Sequence, residues 1–167
     1  MINKKSFINE SKLNQLIHVE GSHIVNLEED YFQYCNGYFL VNCTYDLDSV
    51  IQKLFKVGAI SNYRNWKPTK THDFQELADF ENEIEIEATL TPYLKMCGNK
   101  NLANIFKIGN NFVSYNKNYI DMFKNVKYKA SNDSKLPNLR IYGDGVFIGL
   151  LMPIRDEHDM LVDIIGS

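Results

Sequence analysis

Residues that cross-link, coordinate or catalyse are scarce in this 167-residue chain. Its three cysteines, Cys35, Cys43 and Cys97, are an odd number without CxxC spacing. That excludes a disulfide framework and predicts free, buried thiols in place of a zinc site. The four histidines, His18, His23, His72 and His158, fall far apart, with no HxH or HExxH pair. No GxSxG, P-loop or GxGxxG occurs, and neither Cys35 nor Cys43 has a general base beside it. The acidic runs "HDFQELADFE" and "RDEHD" read as solvated surface, so no metal and no cofactor are expected. No enzyme is read here.

Long apolar runs are missing too. The longest, residues 146–154, is interrupted by Gly149 and Pro153 and is half the ~18 residues needed to span a bilayer. The opening "MINKKSFINESKLNQ" carries two lysines with no apolar segment behind them, which does not read as a signal peptide. A cytoplasmic protein without membrane contact is the expectation. The formal net charge of -3 argues against a surface that binds nucleic acid everywhere, though it leaves room for one basic face. Against these absences, 44% hydrophobic and 13% aromatic residues are enough to build a core.

The pattern along the chain is mixed. "SFINESKLNQLIHVEG" predicts an amphipathic helix, with Phe7, Leu13, Leu16 and Ile17 on one face and Gly21 as its stop. "HIVNLEEDYFQYCNGYFLVNCT" predicts strands, with Asn36-Gly37 as a hairpin turn because both residues tolerate positive φ. "DLDSVIQKLFKVG" predicts a second helix. Asp46 or Asp48 would cap it, Val50, Ile51, Leu54 and Phe55 would face inward, and Gly58 would end it. A surface loop containing Pro68 follows. "FENEIEIEATL" alternates as a half-buried strand, Ile84 and Ile86 against Glu83, Glu85 and Glu87. "NLANIFKIGNNFVSYN" is a strand pair around a Gly-Asn turn, and "NKNYIDMFKNV" predicts a third helix. "KYKAS", "NLRIYGDG" and "VFIGLLMPI" are three more strands, with "GDG" as a β-turn. Two stretches, beginning "CNGYFLVNC" and "IGNNFVSYN", each run turn, strand, polar step and helix, as an internal repeat would.

Four pieces in order, "YNKNYIDMF", "VKYKAS", "PNLRIYGDG" and "GLLMPIR", resemble the closing half-domain of bacterial DNA polymerase sliding clamps (the β-clamp family), most closely over residues 112–155. The resemblance implies an α+β, DNA-clamp-like fold. Two βαβββ units would lay their helices on curved antiparallel sheet, with an N-terminal helix added. The expected organisation is an N-terminal helical extension over residues 1–22, one clamp-like domain over 23–155 with halves at about 23–95 and 96–155, and a tail over 156–167.

The same resemblance implies candidate sites. In the family the "MPMR"-type ending helps to line an apolar pocket for short peptides. Leu150, Met152, Pro153, Ile154 and Arg155 are therefore the candidate peptide-binding residues; Met is adaptable, Pro offers apolar surface without an amide donor, and Arg can hold a carboxylate. The tail "DMLVDII" combines acids with apolar anchors and is a candidate occupant of that groove. Helices face DNA in a clamp, so Lys117, Lys124, Lys127 and Lys129 are candidate duplex-DNA contacts of the weak, salt-sensitive kind. Separately, Glu81, Glu83, Glu85 and Glu87 would stand about 7 Å apart on one strand face, close to the spacing of backbone phosphates.

The function these readings predict is a non-enzymatic binding protein of a phage or other mobile element. It would serve DNA replication or processing through protein-peptide or DNA contacts, and a homo-oligomer would be needed to close any ring. The alternative is an anti-CRISPR or other anti-defence inhibitor that binds a host nuclease or surveillance protein through the acidic row. Either way the expected partner is a protein, a replication protein or a defence nuclease.

Overall fold

Local turn chemistry and strand alternation decide most of the architecture. A computed structural model of the chain describes residues 7–18, 23–28, 31–43, 48–58, 84–97 and 101–155. The strands are β1 (Ile24–Glu28), β2 (Tyr31–Cys35), β3 (Phe39–Cys43), β4 (Glu85–Cys97), β5 (Asn101–Ile108), β6 (Asn111–Asn116), β7 (Lys127–Ser131), β8 (Leu139–Gly143) and β9 (Val146–Leu151). They form one nine-stranded sheet in the order β1-β2-β3-β9-β8-β7-β4-β5-β6. Every pairing in it is antiparallel.

The described helices are short: α1 (Glu10–Leu16), α2 (Asp48–Lys56) and the single turn α3 (Lys117–Ile120). The expected α+β, clamp-like fold of two helix-backed βαβββ units is therefore corrected: the chain is mostly one antiparallel sheet, with little helix. Two local events account for much of the difference. The third helix stops after one turn, because residues 122–124 leave it to pair with residues 7–9. The predicted strand ending near Leu90 instead continues to Cys97 and absorbs Pro92 in a register shift between Leu90 and Leu94.

Hairpins form where left-handed residues permit them. Gly37 (φ 92°) turns β2 into β3, and Asn36 Oδ1 accepts from the amides of Tyr38 (2.9 Å) and Phe39 (3.0 Å). Gly109 (φ 58°) joins β5 to β6, and the successive positive φ of Asp144 and Gly145 joins β8 to β9. Asn9 caps α1 by accepting from the Lys12 amide, so the helix begins there, and it ends at Ile17 before the predicted stop at Gly21. Along α2, Val50 and Leu54 are buried four residues apart, while Phe55 turns outward.

The core lies on one sheet face under α1 and α2. Phe32, Tyr34, Phe39, Val41, Phe106, Tyr115, Leu139, Ile141 and Leu151 pack there with Leu13, Val50 and Leu54. The N-terminal segment belongs to this core, since Phe7, Ile8, Leu13 and Ile17 are all buried in it. The backbone of residues 7–9 is clasped to the segment after α3. Asn9 N–H donates to the Met122 carbonyl (2.8 Å), Lys124 N–H donates to the Phe7 carbonyl (3.0 Å), and Ile8 bridges Phe123.

Two glycines receive the rings of this clasp. A Cβ on Gly149 would lie 2.5 Å from Phe123 Cζ and 3.0 Å from the Leu40 carbonyl oxygen. One on Gly143 would lie 2.7 Å from Phe7 Cγ. Past Leu151 the chain crosses to the far edge of the sheet, where Ile154 N–H donates to the Ser114 carbonyl of β6 (2.8 Å). The sheet thus curls until its last strand meets the continuation of β9.

A small polar latch ties α1 to the sheet. His23 Nε2 lies 2.9 Å from the His18 carbonyl, which can only accept, so that nitrogen carries the proton. Nδ1 is then the acceptor for the buried Tyr34 hydroxyl at 2.8 Å. Burial holds the His23 pKa below its ordinary value, with the nearby His18 acting in the same direction and the backbone hydrogen bond opposing.

Two outcomes are expected. Gly149→Ala should overpack the Phe123 ring and cost about 1–3 kcal/mol, seen as a Tm several degrees lower, and adding Phe123→Leu should recover part of the loss. An unchanged Tm would contradict this packing. For His23, the unfolded imidazole titrates near its ordinary value of 6.5 and the folded one lower. The unfolded chain takes up the proton first as pH falls, so this contribution is complete above that value and declines below it towards the folded pKa. His23→Asn should flatten the urea-unfolding stability profile below about pH 6.5.

Candidate functional site

The seam where the sheet closes carries a groove of ≈ 480 Å³ lined by Tyr38, Asn116, Tyr119, Met152, Pro153, Ile154 and Arg155. Three separate elements meet there. Tyr38 comes from the β2–β3 turn, Asn116 and Tyr119 from the end of β6 and from α3, and the rest from the segment after β9.

Each wall is held by named bonds. Met152 N–H donates to the Tyr38 carbonyl (2.9 Å), which fixes the start of the segment to the hairpin. Ile154 is fixed to β6 at the other side, and Pro153 between them has no amide to give. Asn116 caps α3, its Oδ1 accepting from the Asn118 amide (2.9 Å), and Lys117 closes that turn by pairing with Asp121 at 2.7 Å. The Tyr119 ring lies 5.0 Å from Phe39 at 55°, anchored on the core while its other side faces the groove. Burial raises the Tyr119 hydroxyl pKa, a side-chain hydrogen bond from Asn36 lowers it, and Tyr38 adds to the rise.

The groove is apolar with one cation at its rim. Tyr38 is 63% exposed and Met152 41%, large values for such side chains, and Arg155 is exposed beside them. Of the candidate peptide-binding residues, Met152, Pro153, Ile154 and Arg155 come together here. Leu150 does not. It packs with Leu40 in a second apolar cluster bordered by Ile24, Cys35 and Phe147. Tyr38, Asn116 and Tyr119 escaped the sequence reading. The signals were an aromatic straight after the Asn-Gly turn and the tyrosine inside "YNKNYIDMF".

The candidate DNA-facing lysines are dispersed. Lys117 is engaged with Asp121 on α3, Lys124 belongs to the clasp, and Lys127 and Lys129 lie on β7. The last two line a cleft of ≈ 510 Å³ with Asn125, Val126, Tyr142, Asp144 and Gly145. No helix face gathers the four.

The acidic row divides between described and undescribed members, and between engaged and exposed ones. Glu81 and Glu83 lie outside the described residues, and Glu85 is taken up within the sheet. Its Oε2 accepts from Arg140 Nη1 (2.9 Å) and from the Tyr142 hydroxyl (2.8 Å), and its Oε1 lies 3.3 Å from Lys129 Nζ. Lys129 also sits 5.1 Å from the centre of the Tyr142 ring. Arg140 is 96% buried (4% exposed), so Glu85 serves as its counter-charge. Glu87 is exposed, directly opposite Lys129 on β7. The cause is cross-strand: alternation told which way the glutamates point, but not that β7 and β8 set cations against them.

Among the described residues no group of three His, Cys, Asp or Glu side chains is arranged to hold a metal ion, and no helix is long and apolar enough to cross a membrane. Cys35 and Cys97 are half-buried and Cys43 is buried, all as free thiols. Burial raises the Cys35 thiol pKa, away from the reactive thiolate.

Glu85→Ala should cost about 2–3 kcal/mol, because it removes a carboxylate that accepts from the buried Arg140 guanidinium and from the Tyr142 hydroxyl. Glu87→Ala should change stability by less than about 0.5 kcal/mol. Urea unfolding of the two variants separates a structural carboxylate from a surface one, and equal effects would contradict the difference. Compared with known proteins, the chain matches no family model, no curated protein and no solved structure.

Proposed function

We propose that the chain is a non-enzymatic binding protein whose working surface is the groove between Tyr38, Tyr119 and residues 152–155, and that its ligand is a short peptide of a protein partner. The observation that carries this reading is the joining of Met152, Pro153, Ile154 and Arg155 with two tyrosines around one apolar depression. Such a site suits a peptide that seats one or two large apolar side chains and sets a carboxylate against Arg155. The amides of Met152 and Ile154 are already bonded and Pro153 has none, so recognition rests on side-chain surface.

The resemblance of residues 112–155 to sliding clamps supports a role as an accessory of DNA replication or processing in a phage or mobile element. It does so through one segment only. An inhibitor acting through its acidic row has less support, because Glu85 is engaged with Arg140, Lys129 and Tyr142.

Panning a random peptide library on the protein tests the groove. The expected result is enrichment of peptides with adjacent large apolar residues and a nearby acid. Met152→Asp and Arg155→Glu, both on exposed side chains, should each weaken an enriched peptide about tenfold, roughly the loss of one good contact of 1.4 kcal/mol. Circular dichroism should show the fold unchanged. No enrichment, or binding indifferent to both substitutions, would refute the proposal.

A further inference from the structure

The groove begins where the described chain ends. Arg155 is both its rim and the last described residue, and twelve more residues follow it, "DEHDMLVDIIGS". Their chemistry complements the groove. Asp156, Glu157, Asp159 and Asp163 carry negative charge against Arg155, and Met160, Leu161, Val162, Ile164 and Ile165 supply apolar anchors for the surface of Tyr38, Tyr119, Met152 and Ile154. The connection is long enough. Four residues, 156–159, reach up to roughly 13 Å when extended, which allows the chain to reverse and bring Met160 and Leu161 over the groove it has just left.

We infer that residues 160–165 of this same chain are a resident ligand of the groove, which an outside peptide must displace. This rests on the peptide-groove reading above. Tethering sets the strength of the effect: an effective concentration of roughly 1 mM for a short linker and a free-segment Kd of roughly 0.1 mM weaken any competitor about tenfold.

The probe is a fluorescently labelled synthetic peptide, DMLVDII, with the sequence of residues 159–165. It should bind a chain ended after Glu157 about tenfold more tightly than it binds the full chain, read by fluorescence anisotropy. In the full chain, the double substitution Leu161→Asp and Ile164→Asp should produce the same gain, which covers a shortened chain that fails to fold. Arg155→Glu and Met152→Asp in the shortened chain should abolish the gain. Equal affinity for the full, shortened and doubly substituted chains would overturn the inference, as would binding that ignores Arg155 and Met152. Library-selected peptides separate the two readings. If they bind the shortened chain through Met152 and Arg155 while DMLVDII does not, the resident ligand falls and the groove stands. If neither binds, the groove reading falls and takes this inference with it.

Discussion

The structure depends on a backbone clasp that seats two phenylalanine rings on two glycines. Residues 7–9 and 122–124 hold each other through the Asn9–Met122 and Lys124–Phe7 hydrogen bonds, and Phe7 and Phe123 then occupy the space that side chains at Gly143 and Gly149 would fill. Gly149 sits between Val41 of β3 and Ile141 of β8, so the Phe123 ring lands where the first part of the chain joins the last. A larger residue there would push against the Leu40 backbone as well as the ring. Close packing makes such a site intolerant, because neither neighbour can retreat without opening a void elsewhere. The clasp also ends α3 after one turn, which sets where Asn116 and Tyr119 stand.

The two sheet faces divide the chemistry. On one face the row Val25, Tyr34, Val41, Gly149, Ile141 and Tyr128 runs across six strands into the core. On the other, Ile24, Cys35, Leu40, Leu150, Arg140, Lys129 and Glu87 follow one another across seven strands, apolar first, then cationic, then acidic. The buried Arg140 is the hinge of that row. A guanidinium so enclosed needs a fixed carboxylate, and Glu85 supplies it with a second bond from Tyr142. This explains how a strand rich in glutamate can be structural: its charges answer cations on the strands beside it.

What the sequence revealed was local. The turns at Gly37 and at Asp144-Gly145 were legible because positive φ selects few residue types. The inward face of α2 was legible because Val50 and Leu54 keep helical spacing. The failures were non-local. "NKNYIDMFKNV" has a helix-like pattern, but a partner more than a hundred residues earlier in the chain takes residues 122–124 out of the helix. The strand predicted over "FENEIEIEATL" stops at Leu90, yet β4 runs on to Cys97 and carries Pro92 through a register shift where no ladder bond is needed. The groove was half legible for the same reason: its four consecutive residues can be quoted, while Tyr38, Asn116 and Tyr119 arrive from elements brought together by folding.

The closure of the sheet also determines what kind of ligand the seam can accept. An open strand edge invites a peptide to add itself as another strand, reading backbone more than side chain. At this seam the Ser114 carbonyl of β6 already accepts from Ile154, and the Tyr38 carbonyl already accepts from Met152. With Pro153 between them, the segment turns an apolar side-chain surface outward and keeps its bonded amides within the fold. A ligand here gains by burying side chains against Tyr38, Tyr119 and Met152 and by pairing with Arg155, so its affinity should follow the size and charge of a few anchors. On the peptide-groove proposal, such a surface would select its partner by the few side chains of a short motif.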